Sequence, residues 1–169
     1  FHPYSGYWKV EYMDYGTRFD SPITQRLLPR HRLEKKQPGA ALSEAVEPIV
    51  YYLDPGVPEP VRSALKEGAL WWNSAYEKIG YKNAFQVKDL PADADPMDVR
   101  YNVIQWVHRA TRGWSYGYGV TDPRTGEIIK GHVTLGSLRV RQDFLIATGL
   151  TAPYQQDNRK TADKAGAAN

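Results

Sequence analysis

The spacing of apolar residues changes near residue 57. Before it, "PIVYYLDPG" (residues 48–56) sets apolar positions side by side and halts at Asp54, Pro55 and Gly56, which predicts a short buried strand closed by a turn. After it, Val61, Leu65, Gly68, Trp72, Ala75 and Ile79 recur at helical spacing and predict a helix with one inward stripe, capped by Gly80. Pro60 suits the first turn, and Glu59 complements the positive end of the helix dipole. Gly68 costs about 1 kcal/mol against Ala inside a helix, so it is expected to let the helix approach a sheet closely. "AFQVKDL" (84–90) and "VRYNVIQWVHRA" (99–110) read as strands, the second apolar enough to be central, with the acidic loop "DLPADADPMD" between them. "GYGVTDPRTGEIIKGHVTLGS" (117–137) predicts a hairpin turning at residues 122–126. "SLRVRQDFLIATGL" (137–150) predicts a closing helix capped by Ser137 and ended by Gly149, with Leu138, Phe144 and Leu145 toward the core.

Upstream the pattern is thinner. In "YWKVEYMDY", Trp8, Val10, Tyr12 and Asp14 alternate with Tyr7, Lys9, Glu11 and Met13, which predicts a strand with one aromatic face. Pro29 interrupts the next stretch, Gln37, Pro38 and Gly39 form a turn, and residues 40–47 read as a connector. A helix between two strands implies a parallel, right-handed pair. The hairpin then adds an antiparallel strand, most simply at an edge. The expected fold is α/β (α+β): a twisted mixed β-sheet with an antiparallel edge hairpin and two main helices. The expected organisation is a strand-rich extension (1–47), a main unit (48–154) and a polar, disordered tail (155–169).

Composition narrows the partners. With 169 residues, 41% hydrophobic and 24% charged, the chain can enclose the core of one domain. Its 12 Tyr and 5 Trp imply many half-buried rings. A net charge of +3 is too weak to argue for nucleic acid, and the densest basic run, residues 26–36, reads as a solvated surface. Without cysteine there is no disulfide framework, thiolate zinc site or thiol nucleophile. No apolar run approaches the roughly 20 residues of a membrane span. The chain begins at Phe1 without a signal segment and ends in a ragged tail, so both ends are expected to be cut from something longer.

Three segments carry a resemblance: "PIVYYLDPGVPEPVRSALKEGALWWNSAYEKIGY", "DVRYNVIQWVHRATRGWSYG" and "TDPRTGEIIKGHVTLGSLRVRQDFLIATGL". Together they resemble a family of large bacterial zinc-dependent metalloproteases of the metzincin type, over residues 30–154. The resemblance implies a twisted mixed sheet with a long helix behind it and an antiparallel edge strand bordering an active-site cleft. It also implies peptide-bond attack by zinc-activated water, and a periplasmic or extracellular location. The departure is the H-E-x-x-H helix that such enzymes carry. The histidines are His2, His31, His108 and His132, and no two share that spacing. Zinc is therefore expected in a full-length parent, downstream of "ATGLTAPY", and this chain is expected to hold no catalytic residue and no metal ligand.

What remains for this chain is substrate alignment. If the second hairpin strand is the sheet edge, its free backbone groups can pair with an extended peptide. The resemblance assigns that role to Lys130, Gly131, His132, Val133 and Thr134. Lone on its strand beside Lys130 and Thr134, the His132 side chain is expected at the surface or rim. His108 is expected to be a hydrogen-bonded structural histidine. "RGWSYG" reads as a loop lock or an aromatic sugar platform, the acidic loop as solvated or a weak Ca²⁺ site, and Trp71 and Trp72 as core and groove wall. Two functions stand: a non-catalytic part of a zinc metalloendopeptidase, or a peptide- or glycan-binding module without enzymatic activity. The expected partners are an extended peptide, the missing C-terminal half of the catalytic domain, and a second copy through apolar surface around residues 138–150.

Overall fold

The computed structural model describes residues 1–109 and 114–151. At the N-terminus, β1 (Val10–Met13) and β2 (Thr24–Leu27) pair as an antiparallel hairpin, largely exposed. β3 (Ser43–Glu44) follows within the segment expected to be a connector, and Ser43 and the adjoining Ala45 are buried. Then come β4 (Ile49–Leu53), α1 (Val61–Leu70), α2 (Trp72–Lys78) and β5 (Tyr81–Lys82). The chain continues through β6 (Phe85–Asp89), β7 (Asn102–Val107), β8 (Tyr116–Thr121), β9 (Ile128–Gly136) and α3 (Leu138–Thr151).

The main sheet has the order β6-β4-β7-β9-β8, and β3 pairs separately with β5. β6, β4, β7 and β9 run parallel, and β8 alone is antiparallel, against β9. The mixed α/β sheet with an antiparallel edge is thus present. The apolar run of β4 and β7 explains their places, because strands buried on both faces need no polar alternation. Leu53, Val57 and Ile104 form the innermost cluster, with Val61, Leu65, Val133 and Leu135 against it.

The stretch expected to form one helix folds as two, α1 and α2, which meet at Trp71. The Glu59 carboxylate accepts from the Ser63 amide (3.3 Å) and hydroxyl (2.8 Å), tying down the first turn. Gly80 follows the end of α2 at φ +88°, a conformation that side chains resist, and a Cβ there would lie 2.5 Å from the Ala41 carbonyl. Between these ends the inward stripe differs from the expected one. Val61 and Leu65 turn inward as predicted, but Ala69, Asn73 and Tyr76 continue the stripe, while Gly68, Trp72, Ala75 and Ile79 are exposed. The reason is a polar clamp: Asn73 donates through Nδ2 to the Phe85 carbonyl (2.7 Å) and accepts through Oδ1 from the Phe85 amide (3.1 Å). That bond pair fixes α2 to the start of β6 and sets the rotation of the helix. Nothing lies within 4 Å of a Cβ built on Gly68, so close packing is not its role.

α3 also departs from expectation. It runs past Gly149 to Thr151, contains no buried residue, and leaves Leu138, Phe144 and Leu145 exposed. Its apolar residues Leu138, Val140, Phe144, Leu145, Ile146 and Leu150 are spread around the cylinder, so no single stripe can dock. Among the described residues no helix is long and apolar enough to cross a membrane. The expected tail, 155–169, lies outside the described residues.

Candidate functional site

β9 alternates as its sequence predicts. Gly131, Val133 and Leu135 face the helices, and Lys130, His132 and Thr134 face the other side. The expected edge position of these residues is overturned. Val133 pairs with Ile104 of β7 and with Gly117 of β8, and His132 pairs with Val103 and Tyr118. Gly131 to Thr134 therefore lie inside the sheet, with no free edge to offer a peptide. The physical reason is composition: β9 brings Val133 and Leu135 to the core, whereas "YGYGVT" brings little apolar volume and is left outermost. The edge strand is β8, one strand further out than the sequence reading placed it.

The expectation that His132 sits at the surface or rim is overturned with it. Lys130, His132 and Thr134 are each only 3% exposed. The His132 ring stacks on Tyr118 with centroids 4.9 Å apart, and its Nε2 lies 3.0 Å from Gln105 Oε1. Burial, and then the Lys130 charge, push its pKa below the ordinary histidine value, so the imidazole is neutral near pH 7. A neutral ring that donates from Nε2 to the Gln105 oxygen leaves Nδ1 as a bare acceptor, and Nδ1 is indeed buried without a partner.

Lys130 performs a different task from lining a cleft. Its ammonium donates to the carbonyls of Pro96, Asp98 and Tyr101, each at 2.7 Å, so three N–H groups meet three acceptors. Burial lowers its pKa, and Asp98 and Asp95 pull it back up. The β6–β7 loop is thereby drawn across the buried face of β9. The loop's carboxylates serve its own backbone: Asp95 accepts from the Met97 amide (2.8 Å), and Asp98 takes the Arg100 guanidinium and amide, which hold its pKa at about 2.

Gly131 is where two strands are stitched. Its amide donates to Asn102 Oδ1 (2.7 Å), while Asn102 Nδ2 donates to the Val50 carbonyl (2.8 Å), so one side chain ties β4 to β9. The Tyr51 ring crosses over Gly131; a Cβ there would meet Tyr51 Cζ at 2.8 Å, with the hydroxyl closer still.

The outer strand β8 presents Tyr116, Tyr118 and Val120, all exposed, and Gly117 and Gly119 between them, also exposed. Among the described residues no strand pairs with its far side. Half of its backbone N–H and C=O groups point outward, open to a further strand. Arg109 anchors the approach to β8: its Nη1 donates to the Trp114 carbonyl (2.9 Å), and its guanidinium lies 5.8 Å from the Tyr116 ring centre. Trp114 itself is exposed; the preceding part of "RGWSYG", residues 112–113, lies outside the described residues. The signal that could have singled out β8 was its Tyr-Gly alternation, which lacks the β-branched residues of a central strand.

Elsewhere, His108 Nδ1 bonds the Ser137 hydroxyl at 2.8 Å, a structural link between the end of β7 and the start of α3. A concavity of about 480 Å³ lies between the helices and the sheet, walled by Leu65, Trp72, Tyr76, Phe85 and Val133, with His31 on its lining. Trp72 is a groove wall there, but Trp71 and Trp72 are both exposed rather than core. Burial lowers the His31 pKa, opposed by Glu127. Among the described residues no three His, Asp or Glu side chains converge as a metal ligand set, and His108 and His132 are engaged with Ser137 and Gln105. Neither a family model, nor a curated protein, nor a solved structure matches the chain.

Proposed function

We propose that the chain is the substrate-aligning, non-catalytic part of a zinc-dependent metalloendopeptidase domain of the metzincin type, with a periplasmic or extracellular location. One observation carries the reading: a single antiparallel strand, β8, closes an otherwise parallel sheet and leaves its outer backbone edge unpaired among the described residues. An extended peptide laid on that edge gains main-chain hydrogen bonds, which supply affinity without sequence demands. The zinc ion and the groups that activate water are assigned to a further part of a longer polypeptide, and no step of the cleavage is assigned to this chain. The substrate role moves from Lys130, Gly131, His132, Val133 and Thr134 to the strand beside them, with those residues acting as its support.

Exposed Trp114, Tyr116 and Tyr118 favour a second reading, a glycan- or peptide-binding module. Hydrogen exchange followed by NMR separates the two. A peptide on the edge slows exchange at alternate, outward-facing amides of β8 and leaves β9 unchanged. A glycan shifts the Trp114 indole and leaves β8 exchange as it was. Chelator-sensitive peptide cleavage by the purified chain would refute the non-catalytic assignment.

A further inference from the structure

Whatever peptide lies along β8 must meet two unlike faces. On one, Tyr116, Tyr118 and Val120 stand opposite Thr134, His132 and Lys130 and already form a wall. On the other, Gly117 stands opposite Val133, and Gly119 stands opposite Gly131, so between Tyr116 and Val120 the outer strand contributes no side chain to this face. A Cβ on Gly117 would find its nearest atoms at 3.5 Å (the His132 carbonyl) and 4.0 Å (a Val133 methyl). On Gly119 the nearest would be the Lys130 carbonyl at 3.5 Å and an Ile128 methyl at 4.0 Å. These are ordinary contacts, so the space above both glycines is open and floored by backbone and methyl groups.

The fold already shows how such a gap is closed. At Gly131 the Tyr51 ring, carried by β4 with β7 in between, lies over the bare backbone of β9 and shields it. An aromatic side chain from one strand covering a glycine on another is a known device of sheets. The same gap is repeated at Gly117 and Gly119, and there it is exposed to solvent.

Resting on the edge-docking reading above, we infer that the peptide recognised by β8 carries bulky, aromatic side chains at alternate positions, which lie across Gly117 and Gly119 on the helix-facing side of the sheet. Side chains at i and i+2 of a strand share a face, and the directly opposed Cβ atoms of paired strands are about 5 Å apart, within easy reach of a ring. Two adjacent aromatics would instead send one ring to the face already filled by Tyr116 and Tyr118. The recognised class is thus an extended segment of the form aromatic–x–aromatic, with the intervening residue unspecified.

The test uses the whole chain and two labelled peptides of about eight residues. Both share one Thr/Ser/Lys host composition with two Phe, placed alternately in one and adjacently in the other. Fluorescence anisotropy is expected to show the alternating isomer binding at least about five-fold more tightly. The double variant Gly117→Val/Gly119→Val fills the gap with side chains suited to a strand, and should abolish the difference in affinity between the two isomers. Equal affinity for the two isomers would overturn this inference while leaving edge docking intact. Failure of both isomers to bind would overturn edge docking itself. A dimer of the chain that excess peptide does not dissociate would show β8 taken by a second copy, and would overturn both. If the double variant does not fold, the isomer comparison on the unaltered chain decides.

Discussion

Replacing Gly131 by Ala tests the central packing relation in this sheet. Inside a strand, glycine is normally a cost: Ala in its place is favoured by about 0.5–1 kcal/mol through chain entropy. A change of that sign is what β9 would show if Gly131 were there by chance. The structure predicts the reverse. The added methyl would sit 2.8 Å from Tyr51 Cζ and 3.3 Å from Cε1, with the hydroxyl nearer still. Retreat of the ring is opposed on one side by Phe85, on which it stacks (centroids 5.4 Å apart, 26°), and Phe85 stacks in turn on Tyr76 (6.4 Å, 11°). Forcing a methyl into such packing costs about 1–3 kcal/mol, which outweighs the entropy gain. Urea unfolding, followed by far-ultraviolet circular dichroism and Trp fluorescence, should therefore place Gly131→Ala about 1–2 kcal/mol below the parent chain. Repeating it in a Tyr51→Leu background isolates the cause, since the two sites touch: the cost of Gly131→Ala should shrink there by about 1 kcal/mol. A neutral or stabilising Gly131→Ala, or the same loss in both backgrounds, would refute the packing account.

Lys130→Met keeps the side-chain volume but strips three carbonyls of their donor, and should destabilise by about 2–4 kcal/mol in the same urea assay, with faster exchange in the β6–β7 loop; a loss under about 1 kcal/mol would contradict the loop-anchoring role. Gly68→Ala adds a methyl to open space on an exposed helix position and should stabilise by up to about 1 kcal/mol. His132 and His31 both have lowered folded-state pKa values, so the unfolded chain binds more protons just below pH 6.5. Their contribution is present above that value and lost as pH falls through the folded values. The urea midpoint should drop as pH falls below the ordinary histidine value, and His132→Gln should flatten the drop; a parallel profile would refute the assignment. The exposed apolar side chains of α3 predict concentration-dependent association; sedimentation that stays monomeric, or association unchanged by Phe144→Ser/Leu145→Ser, would count against it.

Much of the architecture was legible along the chain. The unbroken apolar runs of β4 and β7, the Asp-Pro-Gly and Asp122–Gly126 turns, the helix start just after Pro60 and the hairpin all follow from local chemistry: period and turn residues act within a few residues, whereas the break between α1 and α2 at Trp71 does not show in the helical spacing. What local pattern could not decide was which strand of the hairpin lies outermost. Pairing on both sides of β9 depends on residues about thirty positions away in β7 and on the low apolar volume of β8, quantities that no window of β9 contains. The same holds for side chains whose partners are remote. Nothing in the sequence around Asn73 announces that Phe85 supplies both its hydrogen bonds. Lys130 and His132 looked like rim residues until the β6–β7 loop, Gln105 and Tyr118 covered them. A polar residue can be buried only where its partners come to meet it, and that meeting is a property of the tertiary fold.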